Sequence, residues 1–472
     1  MNPKPSGGRP NRVGSYAQPA RRVALEVITA VRESDAYANL LLPTRIARAG
    51  LSQADAGLAT ELTYGTLRML GYYDRVIALA ARRDVDKIDA PILDVLRLGA
   101  HQLLSMRVAK HAAVNESVAL AHTVGSQSAT GFCNGVLREI TRHTPDEWRE
   151  RVRAAANGAD DALGALASHP AWIIRAFRQA LEAEGRASEL EALLEADNAP
   201  PRVNLVALPG VAEIPADAER NRFAPTGFVL AGGDPQAIVT GNAGAVRVQD
   251  EGSQLAALAL TRARPVVAGE RWLDLCAGPG GKAALLAAEA RLGGATLIAN
   301  ELVPARAELV RNALAPVPGE TPVWERDGIS IGESDPEGFD RILLDAPCTG
   351  LGALRRRPEA RWRKSPRDVA ELGRLQAELL DAAVRALKPG GILAYVTCSP
   401  HVAETRIAVD DAVKRWHGEI EPLPTRQLVS AVTLTEPDLA GRDDQVQLWP
   451  HRHGTDAMFI ALLTKQPSTE RT

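Results

Sequence analysis

The chain has 472 residues, 45% of them hydrophobic and 24% charged, which excludes a wholly disordered protein and leaves room for two to four domains. A formal net charge of -3 excludes a histone-like polycation, and no stretch approaches the roughly 18 consecutive apolar residues of a membrane span. The four cysteines form no CxxC pair and the start of the chain lacks the apolar centre of a secretory signal. We therefore expect a cytoplasmic protein with free thiols, no metal site and no membrane attachment.

The N-terminal third predicts a basic tail followed by a helical domain. Residues 1–19 are rich in Pro, Gly, Ser and Arg and contain no acidic residue, which is typical of a disordered tail. From 20 to 145 apolar residues recur at helical spacing, as Val23 and Val27 do, and no strand-like alternation interrupts them. Basic residues outnumber acidic ones in residues 1–143, so this domain is positively charged although the whole chain is not.

The segment from 165 to 250 predicts linker helices and a small extension that contains β-strands. An acidic helical stretch begins at Trp172 and should end before Pro200 and Pro201, because proline cannot continue a helix. Short apolar runs bounded by Gly and Pro then replace the helical pattern. These runs are Val203 to Leu208, Phe228 to Leu230 and Ala245 to Val248.

From 251 to 466 the pattern is that of an α/β domain. Four apolar runs alternate with helical stretches, which predicts a parallel, doubly wound sheet of the Rossmann type. The runs are Trp272 to Leu275, Thr296 to Ala299, Ile342 to Leu344 and Ile392 to Val396. A final pair, Val446 to Trp449 and Ala457 to Leu463, predicts a hairpin that closes the sheet.

A glycine-rich turn follows the first strand of this domain, in the sequence WLDLCAGPGGKAALLAAEA. Glycines allow a ligand to approach the backbone, and a helix that begins near Lys282 presents free N–H groups, so the turn predicts a nucleotide-like cofactor. The turn alone leaves three interpretations open. NAD would have Glu301 as its ribose ligand, about 20 residues after Gly280. S-adenosylmethionine is the second, since Asp274 and the turn resemble the first motif of its methyltransferases, which usually contact adenine where Asp327 stands; a structural turn is the third.

Two cysteines follow the fourth and fifth strands, in the sequences RILLDAPCTGLG and GGILAYVTCSP. The C-terminal ends of parallel strands meet at one edge of a sheet, so we expect Cys348 and Cys398 to flank the cofactor pocket. Singly, each is explained as a small buried residue. Together they suit catalysis, because a thiolate that adds to C6 of cytosine makes C5 nucleophilic enough to take a methyl group. Asp345 is placed to stabilise a proton at N3 as charge develops in the ring.

A basic segment follows the Cys348 turn, in the sequence RRRPEARWRKSPR from Arg355 to Arg367. A thiol with a pKa near 8.5 attacks only when ionised, and positive surroundings favour the thiolate. Such a run of charge is often a solvated face. Beside a nucleotide pocket it predicts a strip that binds phosphates, with Trp362 stacking on a base.

These motifs together resemble the RNA cytosine-C5 methyltransferases of the Nol/Nop/Sun family. The resemblance rests on LDLCAGPGGK, on LLDAPCTGLG followed by RRRPEARW, and on YVTCS, in that order, and paired PC and TC cysteines are the signature of the family. The segments ALEVITAV, ELTYGTLR and ILDVLRLGAHQL resemble a NusB-type RNA-binding domain. The resemblance covers roughly residues 20–465. It implies a Rossmann-like S-adenosylmethionine methyltransferase domain preceded by an all-α NusB-like domain, and it favours that cofactor over NAD.

The resemblance also implies roles for single residues. Cys398 becomes the nucleophile and Cys348 assists its release, as or through the base that removes the C5 proton, with Asp345 as the third catalytic residue. The implied cofactor-binding residues are Cys276, Ala277, Gly278, Pro279, Gly280, Gly281, Lys282, Glu301, Arg306, Asp327 and Asp345. The sequence departs from the family after TCS, where Thr405 stands in place of the Asn that usually follows the glutamate at position 404.

The reaction implied is methyl transfer from S-adenosylmethionine to C5 of one cytosine in 16S ribosomal RNA, unassembled or partly assembled, by a monomer without a metal. Two other classes stay open. An RNA-binding assembly factor with a degenerate α/β domain predicts that S-adenosylmethionine does not bind. An NAD-dependent oxidoreductase leaves both cysteine turns and the basic segment unexplained.

Overall fold

The computed structural model describes residues 17–34 and 36–467, so nearly all of the tail predicted at residues 1–19 lies outside the described residues. The chain folds into two compact units, and the division falls between His169 and Pro170. Within the described ranges, no helix is long and apolar enough to cross a membrane.

The first unit is helical, as its apolar spacing predicted. Val23, Val27 and Val31 are all buried on one face of the first helix. Near residue 145, where the predicted helical domain ends, Thr144 and Glu147 form a capping box that starts a further helix. The helices of this unit are α1 (Pro19–Glu33), α2 (Ala38–Ala49), α3 (Gln53–Arg68), α4 (Leu70–Ala81), α5 (Ala90–Leu104), α6 (Lys110–Val124), α7 (Gln127–Thr141), α8 (Pro145–Ala154) and α9 (Ala159–Ala167).

The second unit opens with two helices and a small antiparallel sheet. The helices are α10 (Ala171–Glu182) and α11 (Leu190–Asn198), and the sheet elements are β1 (Asn204–Ala207), β2 (Glu219–Arg220), β3 (Gly227–Val229), α12 (Pro235–Gly241) and β4 (Val246–Val248). The strands lie in the order β2-β3-β1-β4, and Leu205 on β1 pairs with Phe228 and Val248 on its two neighbours. Three of these strands occupy the predicted apolar runs, and the two-residue β2 was not predicted.

The rest of the unit is a mixed α/β sheet with helices between its strands. Its elements are α13 (Glu251–Thr261), β5 (Arg271–Asp274), α14 (Gly281–Gly293), β6 (Thr296–Asn300), α15 (Pro304–Leu314), β7 (Val323–Trp324), α16 (Ile331–Ser334), β8 (Phe339–Asp345), α17 (Ala360–Arg363), α18 (Pro366–Ala386), β9 (Leu387–Thr397), α19 (Arg406–Arg415), β10 (Ile420–Pro422), α20 (Thr425–Ser430), β11 (Val446–Gln447), α21 (Pro450–His453) and β12 (Phe459–Lys465).

The strand order β10-β12-β9-β8-β5-β6-β7 places the predicted strands as expected. Strands β5 to β9 are parallel, and β12 pairs antiparallel with β9 and with β11, which is the predicted closing pair. Side chains alternate across the sheet, since Trp272 belongs to the apolar core on one face and Leu273 to the core on the other. The order reverses between β5 and β8, and ligands of open α/β sheets bind at such a point.

Candidate active site

The turn between β5 and α14 carries the predicted cofactor-binding residues 276–282. It contains a cis peptide bond between Gly278 and Pro279, and Gly280 has a φ of 101°, which favours glycine. A Cβ at Gly278 would lie 2.1 Å from Oε2 of Glu301, and a Cβ at Gly280 would lie 2.4 Å from Cβ of Ala313. The turn therefore keeps its shape only with glycine at these two positions.

Glu301 and Arg306 hold this turn from the side of β6. The N–H of Gly278 donates to Oε2 of Glu301 at 3.1 Å, and Nη2 of Arg306 donates to the Gly278 carbonyl at 2.7 Å. The other carboxylate oxygen of Glu301 accepts from the N–H of Val303 at 3.0 Å. Two residues implied as cofactor ligands thus also support the glycine turn.

The remaining residues of the implied cofactor set lie at the same edge. Asp327 follows β7 and caps a short 3-10 turn by accepting from the N–H of Ile329 at 3.0 Å. The N–H of Ala277 donates to the carbonyl of Asn300 at 2.8 Å. Cys276 packs against the apolar core, and burial raises the pKa of its thiol. Cys276 is thus a packed, protonated thiol.

Lys282 and Asp345 form an ion pair across this edge. Nζ of Lys282, in the first turn of α14, lies 2.8 Å from Oδ2 of Asp345, the last residue of β8, and 3.3 Å from Oγ of Ser253. Burial acts to lower the pKa of Lys282, but the charge of Asp345 and its hydrogen bond outweigh burial and raise the pKa overall. The ammonium group is therefore charged at neutral pH.

The two cysteine turns come together next to this ion pair. Strands β8 and β9 are parallel neighbours with Asp345 opposite Val396, so the turns that follow them are adjacent. Sγ of Cys348 lies 3.6 Å from Sγ of Cys398, within the range of a thiol hydrogen bond. Among the residues the structure describes, no group of three or more His, Cys, Asp and Glu side chains is arranged to hold a metal ion.

The surroundings of the two thiols separate their pKa values. The hydrogen bond with Cys348 lowers the pKa of Cys398, against the opposing effects of burial and of the charges of Asp345 and Asp456, while the charge of Lys282 also lowers it. The pKa of Cys348 lies well above its usual value because of the same bond, burial and the charge of Glu404. Cys398 is therefore the thiol that ionises first.

Two buried polar side chains at the turn were given no ligand role from the sequence. Within the described part of the chain, neither carboxylate oxygen of Asp274 and neither amide atom of Gln249 has a hydrogen-bond partner. Burial, with the charge of Asp345, raises the pKa of Asp274 to about 8. Leaving buried polar atoms unpaired is costly, so such atoms point to a ligand site. The signal in the sequence was an aspartate inside an apolar strand.

The basic segment 355–367 is partly internal: Arg355 and Arg361 are buried, whereas Arg357 and Arg367 are exposed, so phosphate binding stays a prediction for the exposed part of the segment. Arg355 is 6% exposed and donates to the carbonyl of Gly454 at 2.9 Å. Nε of Arg356 lies 3.0 Å from Oδ2 of the fully buried Asp456. These guanidinium groups hold residues 454–456, which lead into β12, against the segment that follows the Cys348 turn.

The other end of the segment contains one buried and one exposed arginine. Arg361 is fully buried and donates to Oδ1 of Asn198 at 2.7 Å, while the exposed Arg367 pairs with Glu371 at 2.8 Å. Trp362 is 41% exposed. Asn198 lies 163 residues from Arg361 in sequence, so the burial of Arg361 could not be inferred from the charge run alone.

Comparisons with known protein families match both units. Residues 264–464 match the family described as 16S rRNA methyltransferase RsmB/F, and residues 18–142 match the NusB family.

Relatives match over nearly the whole chain. A Mycobacterium tuberculosis (strain H37Rv) protein named as a methyltransferase is 47% identical over 475 residues, covering 98% of this chain and 100% of its own. The ribosomal RNA small subunit methyltransferase B of Erwinia tasmaniensis is 30% identical over 461 residues, covering 94% and 98%. The protein of the same name from Pseudomonas putida is 32% identical over 460 residues, with the same coverage of 94% and 98%.

Solved structures share the fold. The crystal structure of PH0851 aligns with a TM-score of 0.77 at 21% identity, over 95% of this chain and 98% of that one. A methyltransferase homolog protein from Pyrococcus horikoshii aligns with a TM-score of 0.51 at 22% identity, over 65% and 98%. The fold rests on these structures and the family on the sequence matches: the chain belongs to the 16S rRNA methyltransferase RsmB/F family and carries a NusB-family domain in its N-terminal unit.

Proposed function

We propose that this protein transfers a methyl group from S-adenosylmethionine to C5 of one cytosine in 16S ribosomal RNA, with Cys398 as the nucleophile. The observation that carries the proposal is the 3.6 Å contact between the thiols of Cys348 and Cys398 at the ends of neighbouring parallel strands. Family membership supports ribosomal RNA as the substrate. The thiol pair supports the C5 position, because carbon methylation of a pyrimidine needs a nucleophile that activates the ring.

The residues around the glycine turn fit S-adenosylmethionine. The turn has no room for side chains at Gly278 or Gly280, so its backbone can contact a ligand directly. The unpartnered buried atoms of Asp274 and Gln249 suit the ammonium and carboxylate groups of the methionine end. Glu301 follows β6 at the same edge, where an acid holds a ribose. When bound, this cofactor supplies an electrophilic methyl group.

The thiolate of Cys398 begins the reaction by forming a bond to C6 of the cytosine. The electron pair of the C5–C6 double bond moves to C5, which then takes the methyl group. Lys282 favours the thiolate by its positive charge, and Asp345, bonded to Lys282 at 2.8 Å, stabilises a proton at N3.

Cys348 assists the release step. Once C5 is methylated, its proton leaves, the double bond forms again and the C6–S bond breaks, so that Cys398 departs as a thiolate. Cys348 acts through the base that takes this proton, because its raised pKa keeps it a thiol, and the hydrogen bond from that thiol stabilises the departing thiolate.

We assign the helical unit to RNA docking, on its match to the NusB family. Its excess of basic over acidic residues favours contact with phosphates. The proposed substrate is unassembled or partly assembled 16S ribosomal RNA, on which the protein acts as a monomer in the cytoplasm.

Bisulfite sequencing of 16S ribosomal RNA from cells with and without the gene tests the reaction. We expect one cytosine to lose its protection from deamination when the gene is deleted and to regain it on complementation. An unchanged cytosine pattern would contradict the proposal. Calorimetry with S-adenosylmethionine tests the alternative that the protein is an RNA-binding assembly factor. That alternative predicts that the purified protein does not bind S-adenosylmethionine.

A further inference from the structure

Glu404 is a fully buried acid that joins the two cysteine turns. It ends the 3-10 turn Val402–Glu404, which follows the turn of Cys398, and its exposed fraction is 0%. Oε1 accepts from the N–H of Thr349 at 2.8 Å. Oε2 accepts from the hydroxyls of Thr349 at 2.5 Å and of Ser399 at 2.6 Å. One carboxylate thus binds the residue after each cysteine.

The contacts of Glu404 with its own strand and with α18 complete this arrangement. Its main-chain carbonyl accepts from the hydroxyl of Tyr395 on β9 at 2.9 Å, which fixes the turn to the strand that leads to Cys398. Nε2 of Gln376, on α18, lies 3.4 Å from Oε1 of Glu404 and donates to the carbonyl of Pro347 at 2.8 Å. The backbone on both sides of Cys348 is therefore held by groups that also contact Glu404.

We propose that Glu404 is a positioning residue whose carboxylate fixes the spacing of the two thiols and keeps Cys348 as the hydrogen-bond donor to Cys398. The carboxylate has all its contacts inside the protein, so it acts on the substrate through the two turns. The proposal rests on the proposed function for its effect on methylation, whereas the state of the thiols can be measured without RNA.

The charges around the pair agree with this role. The negative charge of Glu404 is among the causes that raise the pKa of Cys348, together with its bond to Cys398, burial and the charge of Asp345. Cys398 faces Lys282, Asp345 and Asp456 instead. Glu404 therefore disfavours ionisation on the side of Cys348, which leaves the thiolate on Cys398.

Three variants distinguish the effect of the negative charge of Glu404 from the effect of its hydrogen bonds. Glu404→Gln keeps the shape and removes the charge, because the two hydroxyls can rotate to accept from the amide. Thr349→Val and Ser399→Ala keep the charge and each remove one hydroxyl contact. Glu371→Gln, on the exposed pair with Arg367, is the matched control for the loss of a carboxylate.

The first measurement is alkylation of the full-length protein by iodoacetamide between pH 6 and 10, with peptide mass spectrometry of both cysteines. In the wild type we expect Cys398 to react first. In Glu404→Gln we expect the preference for Cys398 over Cys348 to fall by about tenfold, since one pKa unit is a tenfold change in ionisation. Glu371→Gln should match the wild type. A Glu404→Gln protein with the wild-type preference at every pH would overturn the charge effect.

The second measurement is methylation kinetics. We expect Glu404→Gln, Thr349→Val and Ser399→Ala to lower kcat by about tenfold to a hundredfold while KM for S-adenosylmethionine stays within about twofold, because misplacement of a reacting group costs rate. Variants with lower Tm but unchanged kcat and thiol preference would reduce Glu404 to a structural role and refute the proposal. If Glu404→Gln does not fold, unchanged kcat in both hydroxyl variants refutes it. A wild type that shows the thiol preference but methylates no RNA would refute the proposed function instead.

Discussion

Two buried acids, Asp94 in the helical unit and Asp274 at the edge of the sheet, differ in whether other side chains pair with them. Asp94 has a side-chain exposure of 0% and is bonded to Arg32 at 2.9 Å and to Arg97 at 3.1 Å. Asp274 is 1% exposed, and neither of its oxygens has a hydrogen-bond partner among the described residues. Burial raises the pKa of both. At Asp94 two hydrogen-bonded guanidinium groups oppose it, whereas at Asp274 only the charge of Lys282 and the N–H of Cys276 do.

This difference separates an acid that holds elements of the fold together from an acid that is left for a ligand. A buried acid that is fully paired holds helices together, and its partners lie within the same unit, as Arg32 on α1 and Arg97 on α5 do. A buried acid without a partner costs free energy, which is repaid when a ligand binds. An unpaired buried acid thus points to a ligand, whereas a paired one such as Asp94 or Glu404 holds the surrounding elements in place.

The largest effects should come from the cysteine pair at the sheet edge. Cys398→Ala should lower the methylation rate by at least about a thousandfold, since the nucleophile is lost. Cys348→Ala should instead slow release, so that a covalent complex with ordinary RNA accumulates. Single-turnover assays and denaturing gels measure both. Equal loss of rate without any complex in Cys348→Ala would contradict separate roles.

In the helical unit, removal of a buried acid should lower the free energy of unfolding. Asp94→Ala leaves the guanidinium groups of Arg32 and Arg97 without their shared partner, and breaking a buried pair in this way costs about 3–5 kcal/mol. Urea unfolding should show this loss, while the folded fraction should bind S-adenosylmethionine as the wild type does. A loss below about 1 kcal/mol would mean that Asp94 is not the centre of the cluster.

At Asp274 we expect a stronger dependence on pH than at Asp94, where two guanidinium groups oppose the rise in pKa. The carboxyl loses its proton near its ordinary pKa of 3.8 when unfolded but only near about 8 when folded, so the stability of the ligand-free protein falls as pH rises through this window. Asp274→Asn should remove this fall, which we expect to be on the order of 2–4 kcal/mol between pH 5 and 8. Parallel pH curves for the two proteins would contradict the assignment. The variant should also bind S-adenosylmethionine more weakly.

The smallest effect should come from an exposed pair. Arg367 has a side-chain exposure of 87% and pairs with Glu371, so Arg367→Ala should change the free energy of unfolding by less than about 0.5 kcal/mol. Thermal unfolding measures the change. A larger loss would show that burial is not the variable that separates these pairs.

The sequence predicted the elements and residues whose signals are local. The glycine turn, both cysteine turns and most strands follow from short patterns, and the meeting of the thiols follows from the parallel order of their strands. The three-residue β10 gave too short a pattern to predict. The hydrogen bonds of Glu404 depend on Thr349, which is 55 residues away in sequence. The burial of Arg361 depends on Asn198, which is 163 residues away. Such contacts are set by the tertiary fold and leave no periodic trace.

The proposed mechanism depends most directly on which thiol attacks the RNA. Incubation of the protein with S-adenosylmethionine and RNA containing 5-fluorocytosine traps the adduct, because the fluorine at C5 cannot be removed as a proton can. Peptide mass spectrometry of the complex should place the bond on Cys398, in the wild type and in Cys348→Ala, and Cys398→Ala should form no adduct. An adduct on Cys348, or one that survives Cys398→Ala, would contradict the mechanism.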